Sequence, residues 1–554
     1  MPGPIIALAV WFVYAPVVHG TFVWDDELEI LGNAVLRDPA GLAKIWSGNA
    51  GPDYFPLKST VQWLAWRIWG QDPTGFHLLN IGLHLASALL VWAVLRKLGV
   101  RHGWVGGLLF AVHPVAVESA AWISELKNTL SLPLLLLSIL CFLGRPSGRP
   151  ATALSLGFFL LAMLAKSSVV MLPPTLLLYA WYRNGRIGWA DLRSTAPFFA
   201  IALSLGLVTL YFQTHRAMAP LAALPLQGAG PRMACAGLSA AFYVGHVLAP
   251  VVLLPIYPRW DVADPSALQF LPWPGFAALI LWLWTRRRTW GRPVLLGLGF
   301  FLLNLAPVLG FLPMSYQAVS WVADHFAYVS LVGAAGLAAA GFAALEARLS
   351  GSGRRWLWAA AGIVLAGLAV ESRGYAGKFS DPEKLWSYTI SVAPDNVPAL
   401  NNLGVVYYNE RRNAESIAVF QKALRIDPDY GDGHTDLGGE YLIEGRLPEA
   451  IAEFRKAAKL EPGVALTHFN LGNALDQYGQ IPEAIAQYEW AIAIQPDYVV
   501  AHINLGVLYG RTGRLDEAIV QFQAALRVQP DNAMARTDLD YTLRLRQSGR
   551  PPGP

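Results

Sequence analysis

Charge is what this chain of 554 residues has least of. Asp, Glu, Lys and Arg make up 14% of it, where a soluble globular protein carries about 25%. With 54% hydrophobic residues, that scarcity excludes a chain that is soluble along its whole length. Cysteine is nearly absent too: Cys141 and Cys235 both fall in apolar runs, so neither a disulfide framework nor a zinc site is implied. A net charge of only +4 gives no footprint for nucleic acid, which is not expected as a partner. The N-terminal apolar run Ile5 to Val18 lacks a basic n-region and a small-x-small cleavage site; it reads as a retained helix rather than a removed signal. Tryptophan, by contrast, is abundant, and 21 of them suit an aromatic belt at a membrane interface.

Composition changes near Glu371-Ser372-Arg373. Before it, apolar runs of membrane length recur; after it, the chain is charged and amphipathic. The later part is periodic. Pro394, Pro428, Pro462, Pro496 and Pro530 lie 34 residues apart. Leu403-Gly404, Leu437-Gly438, Leu471-Gly472 and Leu505-Gly506 keep the same step, as do Phe420, Phe454, Tyr488 and Phe522. Ser416, Ala450, Ala484 and Ala518 complete the pattern. These are tetratricopeptide positions: small residues let helix A approach helix B, the aromatic fills the seam and proline ends helix B. The spacing predicts a repeat domain over 380–546, with four full repeats about 397–532, a capping helix before them at Asp381 to Ala393 and another from Ala533.

The first part, 1–371, reads as a polytopic membrane domain. Crossings are expected near 4–20, 76–96, 103–117, 128–143, 151–166, 168–183, 195–214, 271–286, 293–313, 324–346 and 355–371. The run 234–256 is interrupted by Pro250 and Pro255. Left out of the count, it puts Arg96, Lys97 and Arg101, then Arg145 and Arg149, then Arg183, Arg186 and Arg193, then Arg286 to Arg288 with Arg292, and finally Arg348, Arg354 and Arg355 on one side. That is the positive-inside pattern. Eleven crossings with a cytoplasmic N-terminus follow, with 234–256 in the interface or re-entering. The repeats then sit in the periplasm of a bacterial inner membrane, or in the lumen of the endoplasmic reticulum.

This topology gathers polar residues on the outer face. The pair Asp25 and Asp26 follows the first crossing in Thr21-Phe22-Val23-Trp24-Asp25-Asp26-Glu27; ionisable groups beside a bilayer are costly and usually mark a site. His113 and Glu118 end the third crossing, Glu125, Lys127 and Asn128 open the fourth, and Lys166 ends the fifth. Tyr257 and Arg259 follow the non-crossing run, and Asp324, His325 and Tyr328 begin the tenth. Each has a structural reading as well: a solvated acid pair, snorkelling lysines, a helix-end bond between Glu118 and His113. His434, His468 and His502 recur once per repeat at a helix A packing position, which points to stacking rather than to metal. Asn402, Asp436, Asn470 and Asn504 share another helix A position, where amides can bond an extended peptide backbone without reading its sequence, or simply be solvated.

The run from Trp24-Asp25-Asp26 through Tyr54-Phe55-Pro56-Leu57, Gly75-Phe76-His77-Leu78-Leu79-Asn80 and His84, then Phe110-Ala111-Val112-His113-Pro114-Val115 with Glu118 and Trp122-Ile123-Ser124-Glu125-Leu126-Lys127-Asn128, resembles the transmembrane and tetratricopeptide-repeat O-mannosyltransferase family and its bacterial relatives. Lys166 and Asp324-His325-Phe326-Ala327-Tyr328 extend the likeness. The resemblance implies an all-α, GT-C-like membrane domain followed by the repeat solenoid. It also implies transfer of a sugar, mannose or another hexose, from a polyprenyl-phosphate donor to a hydroxyl acceptor such as protein Ser/Thr. In that reading Asp26, marginally preferred to Asp25, is the general base, and Glu118 orients the sugar or the base. Lys127, Lys166 and His325 hold the leaving phosphate, with His113, Glu125, Arg259, Tyr328 and Asp324 around it. Relatives commonly carry arginine at the position of His325. A divalent metal, Mg or Mn, at Asp25 and Asp26 is left open, since some GT-C enzymes use one. Two other functions are compatible with the sequence: a non-catalytic membrane scaffold presenting its repeats, and a transferase or ligase acting on a glycan or lipid.

Overall fold

The computed structural model describes residues 2–144, 152–218 and 228–548, and every regular element in them is helical. Contacts divide these residues into two compact units, one running to Val392 and one from Ala393 onward. Arg145 and Arg149, which the charge pattern used, lie outside the described residues.

In the first unit each expected crossing overlaps a helix. Among the described residues seven helices are long and apolar enough to span a bilayer, beginning with Pro73–Lys97, Ile123–Gly144 and Trp189–Ala217 and continuing with Ala267–Thr285, Gly291–Val308, Leu331–Arg348 and Gly351–Ser380. An eighth is Gly103–Val112 with Pro114–Ala121, bent by 60°. The bend has a local cause: Pro114 supplies no N–H, and His113 before it is extended at φ −74°, ψ 128°. Pro2–Val17 and Ala153–Ala165 are apolar but shorter, and Leu172–Asn184 has 13 residues, about 20 Å of helix against a hydrocarbon core of about 30 Å. The chain is a multi-pass membrane protein; among the described residues seven helices, or eight with the bent pair, have full membrane length, and the other expected crossings fall on shorter ones. The run 234–256 gives the helix Ala229–Leu248 followed by non-helical chain and is not among the seven.

Small residues bring these helices together. A Cβ on Gly333 would meet the Gly297 carbonyl oxygen at 2.6 Å, so Leu331–Arg348 and Gly291–Leu305 touch backbone to backbone, the contact that replaces hydrophobic driving force inside a bilayer. The connection after the first helix is built from short helices that pack Phe22, Ile30 and Leu36 on Ala65, Phe76 and Ile123. That apolar seam fixes the acidic loop against the start of the helix Leu126–Gly144.

The second unit stacks four helix pairs: Val397–Asn409 with Asn413–Ile426, Gly431–Ile443 with Leu447–Leu460, Ala465–Gln477 with Ile481–Ile494, and Val499–Arg511 with Leu515–Val528. Ala533–Ser548 follows. Cβ atoms on Gly404, Gly438, Gly472 and Gly506 would come within 2.4–2.8 Å of Phe420, Phe454, Tyr488 and Phe522, so each glycine exists to admit its ring. The preceding helix Pro382–Val392, expected to cap the repeats, belongs to the first unit. Its Trp386 packs edge-on against Trp24 at 5.2 Å, and Tyr388 donates to the Leu253 carbonyl at 3.0 Å.

Candidate functional site

Trp24 takes a left-handed conformation, φ 54°, which costs a non-glycine residue on the order of 1–3 kcal/mol. It is held there by stacking on Trp122, 4.6 Å away and nearly parallel. A π-helical turn, Glu27–Leu31, follows at once. Between these two irregular pieces the adjacent aspartates face different surroundings. Asp26 is fully buried. Its Oδ2 accepts from the Val23 N–H at 3.0 Å, and its Oδ1 accepts from the Ser124 N–H at 2.7 Å and the Ser124 hydroxyl at 2.6 Å. Asp25 is half-buried, and among the described residues its carboxylate makes no hydrogen bond or ion pair. Burial, then repulsion from Glu29, pushes Asp25 up to about 6. Lys127 and His325 oppose that rise, which places them within electrostatic reach.

Beside this loop lies a compact charge cluster drawn from distant parts of the chain. Glu125 is fully buried. Lys127 Nζ lies 3.0 Å from its Oε1 and Lys166 Nζ 3.6 Å from its Oε2. Lys127 sits off the hydrogen-bonding line of that Oε1, so the pair is an ionic contact rather than a directed bond. Asn128 donates to Glu125 Oε2 at 2.5 Å and to the His325 carbonyl at 2.9 Å. Glu118, also fully buried, takes the His325 N–H on Oε2 and the His325 Nδ1 on Oε1, both at 2.9 Å. His325 Nε2 is 3.9 Å from Glu125 Oε1. Two ammonium groups therefore share one carboxylate, Glu125, while Glu118 is taken up by His325. The two lysines are the cations left to face an anionic ligand.

The other expected residues divide. Asp324 is buried beneath Tyr257, whose hydroxyl lies 3.0 and 3.1 Å from its two oxygens, next in sequence to His325. His113 caps a turn, accepting from the Val115 N–H at 3.3 Å, and its Nε2 meets the Val247 carbonyl at 3.1 Å; it joins helices and is not in contact with the cluster. Tyr328 lies in a separate buried network, 2.8 Å from His84 Nδ1. Arg259 is exposed and stacks over Trp321 at 5.5 Å. An apolar cavity of about 570 Å³ reaching Arg348 contains none of these residues.

Sequence reasoning passed over Glu29, Lys58 and Ser124. Lys58 Nζ lies 2.6 Å from Glu29 Oε2. Burial raises Glu29, but Lys58 and Lys127 outweigh it and hold the carboxyl below its usual range. The signal was present: Glu29 is the fourth acid within five residues, and Lys58 directly follows the Phe55-Pro56-Leu57 run.

In the repeats, Asn402, Asp436, Asn470 and Asn504 are all partly exposed on the first helix of their pair. Asp436 accepts from Asn401 at 2.8 Å, and Asn504 donates to Asn473 at 3.0 Å. The three histidines are joints: each ring bonds the carbonyl of Pro428, Pro462 or Pro496 and a side chain of the paired helix. For a metal at Asp25 and Asp26 the donor set does not fit. Both Asp26 oxygens are already engaged by three donors, and among the described residues no group of three His, Cys, Asp or Glu is placed to hold an ion.

Residues 397–430 and 499–532 match the family Tetratricopeptide repeat, and 475–513 match TPR repeat. The chain is also similar to proteins named protein O-mannosyl-transferases. TMTC4 of Homo sapiens is 32% identical over 191 residues, 29% of this chain and 25% of that one. Tmtc1 of Drosophila melanogaster is 34% identical over 122 residues, 20% of this chain and 14% of that one. F38B6.6 of Caenorhabditis elegans is 26% identical over 123 residues, 20% and 18% respectively. The matched segment spans a quarter or less of each relative's length.

Proposed function

We propose, from this partial likeness to protein O-mannosyl-transferases, that the chain is a membrane glycosyltransferase. It moves a hexose such as mannose from a polyprenyl-phosphate donor to a hydroxyl of protein Ser or Thr, on the non-cytoplasmic face. The observation that carries this reading is the sharing of Glu125 by Lys127 and Lys166, beside an aspartate with no bond of its own. In this reading Asp25, not Asp26, takes the proton of the acceptor hydroxyl. The acceptor oxygen then bonds to the anomeric carbon as the bond from that carbon to the phosphate oxygen breaks. The leaving polyprenyl phosphate carries away the electron pair, and Lys127 and Lys166 receive the charge that develops on it. Glu118 fixes His325 through backbone and ring together, so His325 shapes the site while the lysine pair supplies the cations that face the phosphate. Asp26 positions the loop by tying Val23 to Ser124. Asn402, Asn470 and Asn504 hold the acceptor's backbone.

A carboxylate base raised to about 6 must be deprotonated to work. The transfer rate therefore falls as pH drops below about 6 and levels off above it, as base catalysis dictates. Asp25→Asn lowers the transfer rate by about 10²–10⁴ and leaves the unfolding midpoint in detergent unchanged. Wild-type transfer by Asp25→Asn, measured with a polyprenyl-phosphate hexose and a Ser/Thr peptide, sinks the mechanism.

A further inference from the structure

The second repeat breaks the period of the solenoid in one chemical direction. Where the other three repeats have Asn402, Asn470 and Asn504, it has Asp436; where they have Pro398, Leu466 and Val500, it has Asp432. The two acids are four residues apart and share a face of the helix Gly431–Ile443. Glu461 lies over the start of the same helix: a Cβ on Gly431 would come within 2.4 Å of its carboxyl carbon. Among the described residues no Lys, Arg or His pairs with any of the three. Asn401, from the neighbouring repeat, is only 7% exposed. It donates its amide to Asp436 Oδ2 at 2.8 Å, while its own Oδ1 has no partner. A buried acceptor without a donor is costly, so this oxygen is a place where a donor is missing.

We propose that this groove binds a Lys or Arg side chain of an extended polypeptide, its cationic head set among Asp432, Asp436, Glu461 and Asn401 Oδ1. The proposal rests on the reading of the repeats as a peptide-holding surface and names the class of sequence they select. The four groups present acceptor oxygens to the groove, which suits an ammonium with three donors or a guanidinium with five and disfavours an acidic segment. Burial pushes Asp436 up to about 6 and Glu461 up to about 7, with Asp432 adding to both; a bound cation relieves that repulsion. Amides at the equivalent positions of the other repeats hold backbone, while the second repeat supplies charge selection.

The test uses the full chain in detergent micelles and three fluorescent Ser/Thr-bearing decapeptides that differ at one residue: Lys, Gln or Glu. Fluorescence anisotropy is expected to show the Lys peptide binding about tenfold more tightly than the Gln peptide, with the preference shrinking as salt rises. The Glu peptide binds most weakly. In Asp432→Asn/Asp436→Asn the Lys and Gln peptides bind within about twofold of each other. Asn504→Ala weakens both alike. Equal binding of Lys and Gln peptides to the unaltered chain overturns the charge selection and leaves the peptide-holding reading standing. Failure of every peptide to bind overturns both. Because the charge is also varied on the peptide, the outcome does not depend on the double variant folding.

Discussion

In the repeat unit His434, His468 and His502 make the same two bonds at 34-residue steps. In the membrane unit His84, His113 and His325 share no partner: one meets a tyrosine, one a carbonyl of another helix, one a buried carboxylate. Repetition of a bond along a solenoid means that the bond belongs to the stacking of units, each touching only its neighbours. A bond that occurs once and joins a buried carboxylate to a ring some two hundred residues away has no such explanation. It is held in place by the whole bundle, at a cost that a structural joint does not need to meet. The difference separates stacking histidines from a site histidine without reference to residue type.

The comparison breaks most visibly at Glu125. Glu125→Gln leaves Lys127 and Lys166 inside the bundle without their shared counter-charge. Removing one partner from a buried ionic group costs about 3–5 kcal/mol, so the unfolding midpoint in detergent falls, and transfer activity falls with it. An unchanged midpoint would mean that the cluster is wet and exchangeable, like a surface pair. Asp26→Asn comes next. Three donors converge on that carboxyl, which burial raises to about 7, and an amide in its place sets an N–H against one of them, which costs about 1–3 kcal/mol. Asp25→Asn, one residue away, leaves the melt alone. A matching loss of stability in both variants would erase the distinction between the positioning and the reacting aspartate.

How much of this was readable in the residues depends on the same contrast. The repeats were legible to the residue, because the Leu-Gly pairs and their aromatic partners restate one packing rule four times. The first-unit helices were legible as apolar runs. Their lengths were less so: the His113-Pro114 break and the 3₁₀ turn Ser167–Met171 shorten helices that hydropathy draws as continuous. Glu118, Glu125, Lys127, Lys166 and His325 stood out as charges at helix ends, and the structure brings all five together. His113 and Tyr328 stood out for the same reason and serve packing instead. Nothing local distinguishes a polar residue that faces the cluster from one that faces another helix; the rotation of each helix about its axis decides, and tertiary packing sets that rotation. The roles of Asp25 and Asp26 were illegible for a related reason, since the left-handed Trp24 and the Trp122 stack that impose it meet only after folding.

A smaller effect tests the repeated packing rule inside one helix. Gly438 and Gly439 are adjacent in Gly431–Ile443. A Cβ on Gly438 meets the Phe454 ring at 2.8 Å, whereas one on Gly439 meets nothing within 4 Å. Gly438→Ala overpacks the seam and destabilises the unit by about 1–3 kcal/mol. Gly439→Ala removes backbone freedom from the unfolded chain and stabilises it by about 0.5–1 kcal/mol. Hydrogen exchange over 431–460 reads both changes. Equal tolerance at the two positions would show that the aromatic seam gives way, and that the periodic glycine is not a packing requirement.

The smallest effect distinguishes the three repeat histidines from one another. His434 Nδ1 lies 2.5 Å from Glu453 Oε2, whereas His468 and His502 face the uncharged Gln487 and Gln521 at 2.8 and 2.7 Å. The bond to Glu453 raises His434 above its ordinary value. A group raised on folding adds stability that is complete below its unfolded value, about 6.5, and disappears as pH climbs through the folded one. The second repeat should therefore loosen between neutral and mildly alkaline pH, by less than about 1 kcal/mol for a pair partly open to solvent. Hydrogen exchange over Gly431–Ile443, corrected for intrinsic rates, follows this loss locally. Glu453→Gln turns the pair into the arrangement already present in the next two repeats, and the pH dependence disappears while both histidine bonds remain. A pH dependence that survives Glu453→Gln would assign the effect to Asp432, Asp436 or Glu461 on the same repeat. It would carry the same sign in a more acidic window: carboxyls raised on folding, to about 6 and about 7 for Asp436 and Glu461, destabilise the repeat as they ionise on the way up to neutral pH.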